Sequence, residues 1–194
     1  MKSISSKACT TIEIQKSKFI CILFPLSSIE EVKVNLAEIK EEYKGATHYC
    51  YAYIYNQIKR FSDDGEPGGT AGMPILKVLE NQELNHVLAI VVRYFGGIKL
   101  GAGGLVRAYT NSVVESLNQA EKINLISGKI IKLIFPYNQE KKIISLISPY
   151  EPIEKKYEEE VHYKIFLPDC ILKNLEFYYY QILEDQVLGQ EKKA

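Results

Sequence analysis

The sequence predicts an α+β protein of two domains, residues 1–125 and 126–194, and three observations carry that prediction. A chain of 194 residues with 46% apolar side chains can bury a real core, and its length suits one large domain or two small ones. Period-two stretches typical of strands are mixed with stretches of helical period. Near Leu125–Gly128 a complete new pattern begins, which marks the boundary.

The elements follow in order. "TIEIQKSKFICILF" alternates as one or two strands, and "SSIEEVKVNLAEIKEEYKG" places Ile29, Val32, Leu36, Ile39 and Tyr43 at helical spacing. Ser28 followed by Glu31 fits a capping box, and Gly45 fits the stop. In "HYCYAYIYNQI", Tyr49, Tyr51, Tyr53 and Tyr55 take one face of a strand, and His48, Cys50, Ala52 and Ile54 the other. "FSDDGEPGGTAGMP" is a turn-rich loop leading to a short helix with Pro74 in its first turn. "VLAIVV", Val87 to Val92, is apolar on both faces and predicts a central, doubly covered strand. A glycine-rich loop follows, and then a helix with Leu105, Tyr109, Val113, Leu117 and Ala120 on one face.

In the second domain, "KIIKLIFPY" predicts a strand and "NQEKKIISLIS" a helix. "PIEKKYEEE" and "VHYKIFLP" predict two strands joined tightly. "DCILKNLEFYYYQIL" predicts a helix capped by Asp169, with room for a last strand after it. This β-α-β-β-α order is that of a ferredoxin-like domain.

Charge is balanced at 24 basic and 24 acidic residues, so a nucleic-acid role requires a local patch. Cys9, Cys21, Cys50 and Cys170 form no C-x-x-C pair, which argues against a structural zinc site. No metal or cofactor is expected. No apolar run reaches membrane-helix length and the amino terminus lacks a signal-peptide core, so the expectation is a cytoplasmic protein without a membrane partner.

The chemistry concentrates in "RYFGGIKLGAGGLVRAY", Arg93 to Tyr109, which holds five of the twelve glycines and two of the three arginines. Helix starts carry unpaired N–H groups that Ser, Thr, Asp or Asn normally caps. Gly101, Ala102, Gly103 and Gly104 provide no such side chain, so an anion is the natural partner. Arg107 is expected in the first turn of the helix, where the macrodipole disfavours a cation unless an anion joins it. Lys99 lies in the loop and Arg93 at its entry, and no acid occurs between Glu83 and Glu115. The expected anion or nucleic-acid site is therefore Arg93, Lys99, Gly101, Gly103, Gly104 and Arg107. The competing reading stays open: glycines also permit close packing, and Arg93 or Arg107 can pair internally with Asp63, Asp64 or Glu66.

Asp63, Asp64 and Glu66 have two readings, magnesium ligands or acid–base groups on one side and ordinary turn chemistry on the other, and the turn is favoured. His48 is a further candidate on its strand. The tyrosine face suits either base stacking or cover by a helix, with cover favoured. Tyr178, Tyr179 and Tyr180 are expected on a helix, as core and rim. No catalytic nucleophile arrangement is evident.

Four stretches, "KSKFI", "ATHYCYAY", "RFSDDGEPGGTAGMPIL" and "VVRYFGGIKLGAGGLVRAY", closely resemble the signatures of the YigZ/IMPACT family. The resemblance implies a first domain with the fold of the second domain of small-subunit ribosomal protein five. It implies a second domain similar to a carboxyl-terminal domain of elongation factor G. Kinases sharing the first fold bind nucleotide phosphate on a glycine-rich loop opening a helix, while eukaryotic members of the family regulate translation through partner binding. The resulting expectation is a non-enzymatic binder of RNA or another nucleic acid, ribosome-associated, linked to translation regulation. The alternatives are an enzyme acting on a phosphorylated small molecule or nucleotide, and a protein-interaction module.

Overall fold

A computed structural model of the chain describes residues 1–190 and divides into two units, the first Met1–Ile123 and the second beginning at Asn124.

The first unit contains β1 (Lys2–Ile4), β2 (Ala8–Ile14), β3 (Ser17–Pro25), α1 (Glu31–Glu42), β4 (His48–Tyr55), β5 (Ile58–Ser62), α2 (Gly72–Asn81), β6 (Val87–Tyr94) and α3 (Gly101–Gln119). The sheet runs β2-β3-β6-β4-β5, antiparallel at each pairing. The apolar run of β6 occupies its centre, with Val87 through Arg93 buried. A strand covered on both faces needs apolar side chains on both. Cys50, Ala52, Ala89 and Val91 pack with Ile75, Leu79, Leu105 and Tyr109 of α2 and α3. On the opposite face Ile20, Ile22, Leu88 and Ile90 pack with Val32 and Ile39 of α1.

The tyrosines of β4 lie half-buried against this second cluster. The Tyr49 hydroxyl donates to the Tyr43 carbonyl at 2.7 Å, and Tyr55 donates to the Ser27 carbonyl at 2.7 Å. Cover by a helix is thus what the stripe receives. At the start of α1 half of the capping box is present, moved by one residue: Glu31 Oε2 accepts the Ser27 N–H at 2.9 Å, and Ser28 does not cap the helix. Gly45 follows the helix with φ +76°.

The second unit contains all but the first two residues of β7 (Lys122–Phe135), together with α4 (Glu140–Ile147), β8 (Glu154–Tyr157), β9 (Val161–Pro168), α5 (Asp169–Leu172) and β10 (Tyr180–Gln190). Its sheet order is β8-β9-β7-β10, again antiparallel. Ile131, Leu133, Tyr163 and Ile165 pack against Ile143 and Ile147 of α4.

The long helix predicted from Asp169 is corrected here. α5 is four residues long, a 3-10 turn follows at Lys173–Leu175, and the chain extends from Tyr180, paired with Leu133. Asp169 is the first helical residue and supplies no cap. Aromatic residues favour half-buried pleated surface, and β7 offers this segment backbone partners from Leu125 to Leu133. Tyr178 and Tyr180 pack against the core, while Tyr179 is exposed. Among the described residues no helix is long and apolar enough to cross a membrane.

Candidate functional site

At the opening of α3 lies a cavity of about 420 Å³. β6 delivers Arg93 and Phe95 to it, the first residue of β4 delivers His48, and the acidic loop delivers Glu66. The connection into α3 supplies Lys99, Leu100, Gly101 and Ala102.

Behind the cavity is a buried polar network. The Glu66 side chain is 3% exposed and Arg93 only 6%. Arg93 Nη1 donates to Glu66 Oε1 at 2.6 Å, and the Tyr109 hydroxyl donates to the same oxygen at 2.8 Å. The Arg93 guanidinium lies between the rings of Phe19 and Phe95, 5.3 and 5.5 Å from their centroids. A buried charge persists only when paired and hydrogen-bonded, and this pairing meets that demand. Burial holds the Tyr109 phenol far above its ordinary range, so it stays a donor. It also pushes the Cys21 and Cys50 thiols up to about 12, too high for either to act as a thiolate nucleophile at neutral pH.

His48 is oriented by its neighbours. Nδ1 lies 2.7 Å from the Asp64 carbonyl, and because a carbonyl only accepts, Nδ1 carries the hydrogen. Nε2 is left on the other side of the ring, 3.9 Å from Glu66 Oε2.

The aspartates serve the backbone. Asp63 Oδ1 accepts the N–H groups of Ala71 and Gly72 at 3.0 and 2.8 Å, and Oδ2 accepts that of Gly69 at 2.9 Å. It therefore caps the start of α2 from eight residues away. Asp64, at φ +43°, accepts the Tyr49 N–H at 2.6 Å. Among the described residues no group of three or more His, Cys, Asp and Glu side chains is placed to hold a metal ion.

Lys99 and Arg107 are exposed. Arg107 is not in the first turn, because α3 begins at Gly101 and so places it in the second. Its Nε donates to the Gly103 carbonyl at 3.2 Å. The expected strain of a cation against the first-turn dipole is accordingly weaker than the sequence suggested. Arg93 lies in the internal pair with Glu66, so the exposed cations of the expected set are Lys99 and Arg107. The other arginine, Arg60, is exposed on β5 and donates to the Lys59 carbonyl.

The loop glycines divide by cause. A Cβ at Gly96 would stand 2.0 Å from the Lys16 carbonyl carbon, so close backbone approach requires glycine there. Gly101 has φ +70°, a conformation glycine adopts without penalty. Gly103 answers to neither demand, since a Cβ there would meet nothing nearer than Arg107 Nη2 at 3.8 Å. Gly103→Ala is therefore expected to stabilise the protein by about 0.5–1 kcal/mol, the usual gain of alanine over glycine in a helix. Urea unfolding measures this, and a loss of stability would show that the fold itself needs Gly103. The α3 start has no side-chain cap and no acid in its first turn.

Sequence reasoning missed two members of this site. Tyr109 read as an apolar helix position, and only the fold places its hydroxyl on Glu66. Phe95 carried no signal beyond its type. It is 45% exposed at the exit of β6, where its N–H is held by Thr47 Oγ1 at 3.0 Å.

Comparison with known proteins places these features in context. Residues 15–117 match the family model of the Impact N-terminal domain. The IMPACT family member YvyE of Bacillus subtilis is 46% identical over 126 residues, 63% of this chain and 57% of that protein. An IMPACT family member of Haemophilus influenzae is 38% identical over 157 residues, 77% of this chain and 76% of the relative. A crystal structure of a hypothetical protein superposes with a TM-score of 0.66 at 30% identity, covering 95% of this chain and 97% of that one.

Proposed function

The chain belongs to the IMPACT family, and on that premise we propose that it is a non-enzymatic binding protein serving translation, which seats RNA phosphates at the opening of α3. One observation carries the reading. The uncapped start of α3 and the exposed Lys99 and Arg107 fall in a stretch without an acid from Leu84 to Val114, on a chain of zero net charge. Backbone N–H groups of Gly101, Gly103 and Gly104 would donate to phosphate oxygens, and the cations would supply the attraction.

The domain architecture supports the same direction. The β-α-β-β-α-β order and β8-β9-β7-β10 sheet of the second unit suit a ferredoxin-like domain similar to that of elongation factor G. The antiparallel sheet of the first, with helices on both faces, suits a likeness to the second domain of small-subunit ribosomal protein five. A ribosome-associated, cytoplasmic role follows from this reading, with RNA as the partner and an acidic protein as the alternative. The enzymatic alternative would use Asp63, Asp64 or Glu66 to hold magnesium. It has less support, because the three carboxylates are already occupied by backbone N–H groups and by Arg93.

The test is RNA affinity across a salt series. With two phosphate contacts, log affinity on a single strand should fall against log salt with a slope of about −1.4. Lys99→Ala with Arg107→Ala should flatten that slope while circular dichroism stays unchanged. Affinity that ignores salt would sink the proposal.

A further inference from the structure

We propose that the cavity at the opening of α3 takes a single nucleotide bearing a terminal phosphate monoester, with the phosphate at Lys99 and the α3 start and the base against Phe95. This rests on the phosphate-binding reading above and specifies its ligand.

Size argues first. A volume of about 420 Å³ lies in the range of small-ligand sites and is far too small for a length of duplex. A nucleotide at a chain end can enter such a cavity, whereas one flanked on both sides must thread through it.

The lining argues second. Phe95 keeps 45% of its surface exposed although its ring already packs near the Arg93 guanidinium, and its backbone is anchored on Thr47. A held, exposed aromatic ring beside a phosphate site is how proteins stack a base without reading its edges. Leu100 and Pro67 line the same cavity and extend its apolar surface.

Charge argues third. Arg93 offsets Glu66, so Lys99 and the α3 start set the field inside the cavity. A phosphate monoester carries about −1.5 to −2 charges near neutrality, more than the single charge of a backbone diester. His48 lines the same cavity, its Nδ1 held by the Asp64 carbonyl and its Nε2 3.9 Å from Glu66 Oε2. Arg93 itself, 5% exposed, lines the cavity, and its buried Nε has no hydrogen-bond partner among the described residues.

The experiment measures binding by calorimetry at one low salt concentration. The ligands are adenosine monophosphate, inorganic phosphate, and one short single-stranded RNA prepared with a phosphate at either end or with hydroxyls at both. Adenosine monophosphate, an end-phosphorylated RNA, or both should bind at least about tenfold more tightly than inorganic phosphate and the hydroxyl-ended RNA. Which of the two binds identifies the source of the nucleotide. Phe95→Ala should cost the nucleotide about tenfold, as loss of one base–aromatic stack does, and leave inorganic phosphate unchanged. Phe95→Leu keeps the apolar volume without the flat face and should lose the same preference. Lys99→Ala should weaken every phosphate ligand. Equal binding of RNA with either kind of end would overturn the monoester proposal while leaving RNA binding intact. Absence of binding by every RNA and nucleotide would remove both.

Discussion

Replacing Glu66 by leucine is expected to destabilise the first unit by about 3–5 kcal/mol, the usual result of removing one partner from a buried ion pair. The substitution leaves the Arg93 guanidinium, 5% exposed between Phe19 and Phe95, with no counter-charge, and it removes the acceptor of the Tyr109 hydroxyl. Tyr109 is fully buried and cannot recover its hydration without opening the packing around α3, and Arg93, 5% exposed at the cavity wall, recovers little of its own. The physical content is tested by the companion change. Glu66→Leu with Arg93→Met removes both charges together and should recover most of the lost stability, because a buried pair often contributes little beyond an apolar pair of similar volume. Urea unfolding of the two single variants and the double variant gives the coupling energy. A single variant losing less than about 1 kcal/mol would mean that water reaches Arg93 and that the pair is not the buried anchor described above.

Asp63→Ala should cost about 3 kcal/mol, from three charge-assisted hydrogen bonds lost together and the buried N–H groups of Ala71 and Gly72 left without an acceptor. The effect should be local before it is global. Hydrogen exchange of the Ala71 and Gly72 amides should accelerate in the variant, while amides in β6 keep their protection. Asp63→Asn retains one carbonyl oxygen and should lose less. Magnesium should leave the stability of the wild type unaltered, since both carboxylate oxygens already face N–H donors. A magnesium-dependent rise in stability that disappears in Asp63→Asn would restore the metal-ligand reading of this loop.

These expectations mark where sequence and fold part company. The alternation of His48 to Tyr55 was legible because the side-chain period of a strand is two, and burial of Cys50, Ala52 and Ile54 follows from it directly. Val87 to Val92 was legible as a central strand for a related reason, since only cover on both faces favours an uninterrupted apolar run. The glycine loop announced itself by composition. The carboxyl-terminal helix did not survive, because Tyr178 to Tyr180 satisfy helical and extended patterns alike, and the edge of β7, nearly fifty residues earlier in the chain, decides between them.

Local periodicity and turn chemistry thus determined the α+β class and most of the elements. The tertiary structure alone decided how charges pair. Glu66 and Arg93 stand 27 residues apart, and Tyr109 stands 43 from Glu66, so no local pattern relates them. Their contact arises because β6 carries Arg93 to the end of the sheet where the acidic loop returns, and burial makes that pairing obligatory. An exposed arginine and a paired one are the same letter in sequence. The difference between a phosphate ligand and a structural anchor is set by solvent access, which exists only once the chain is packed.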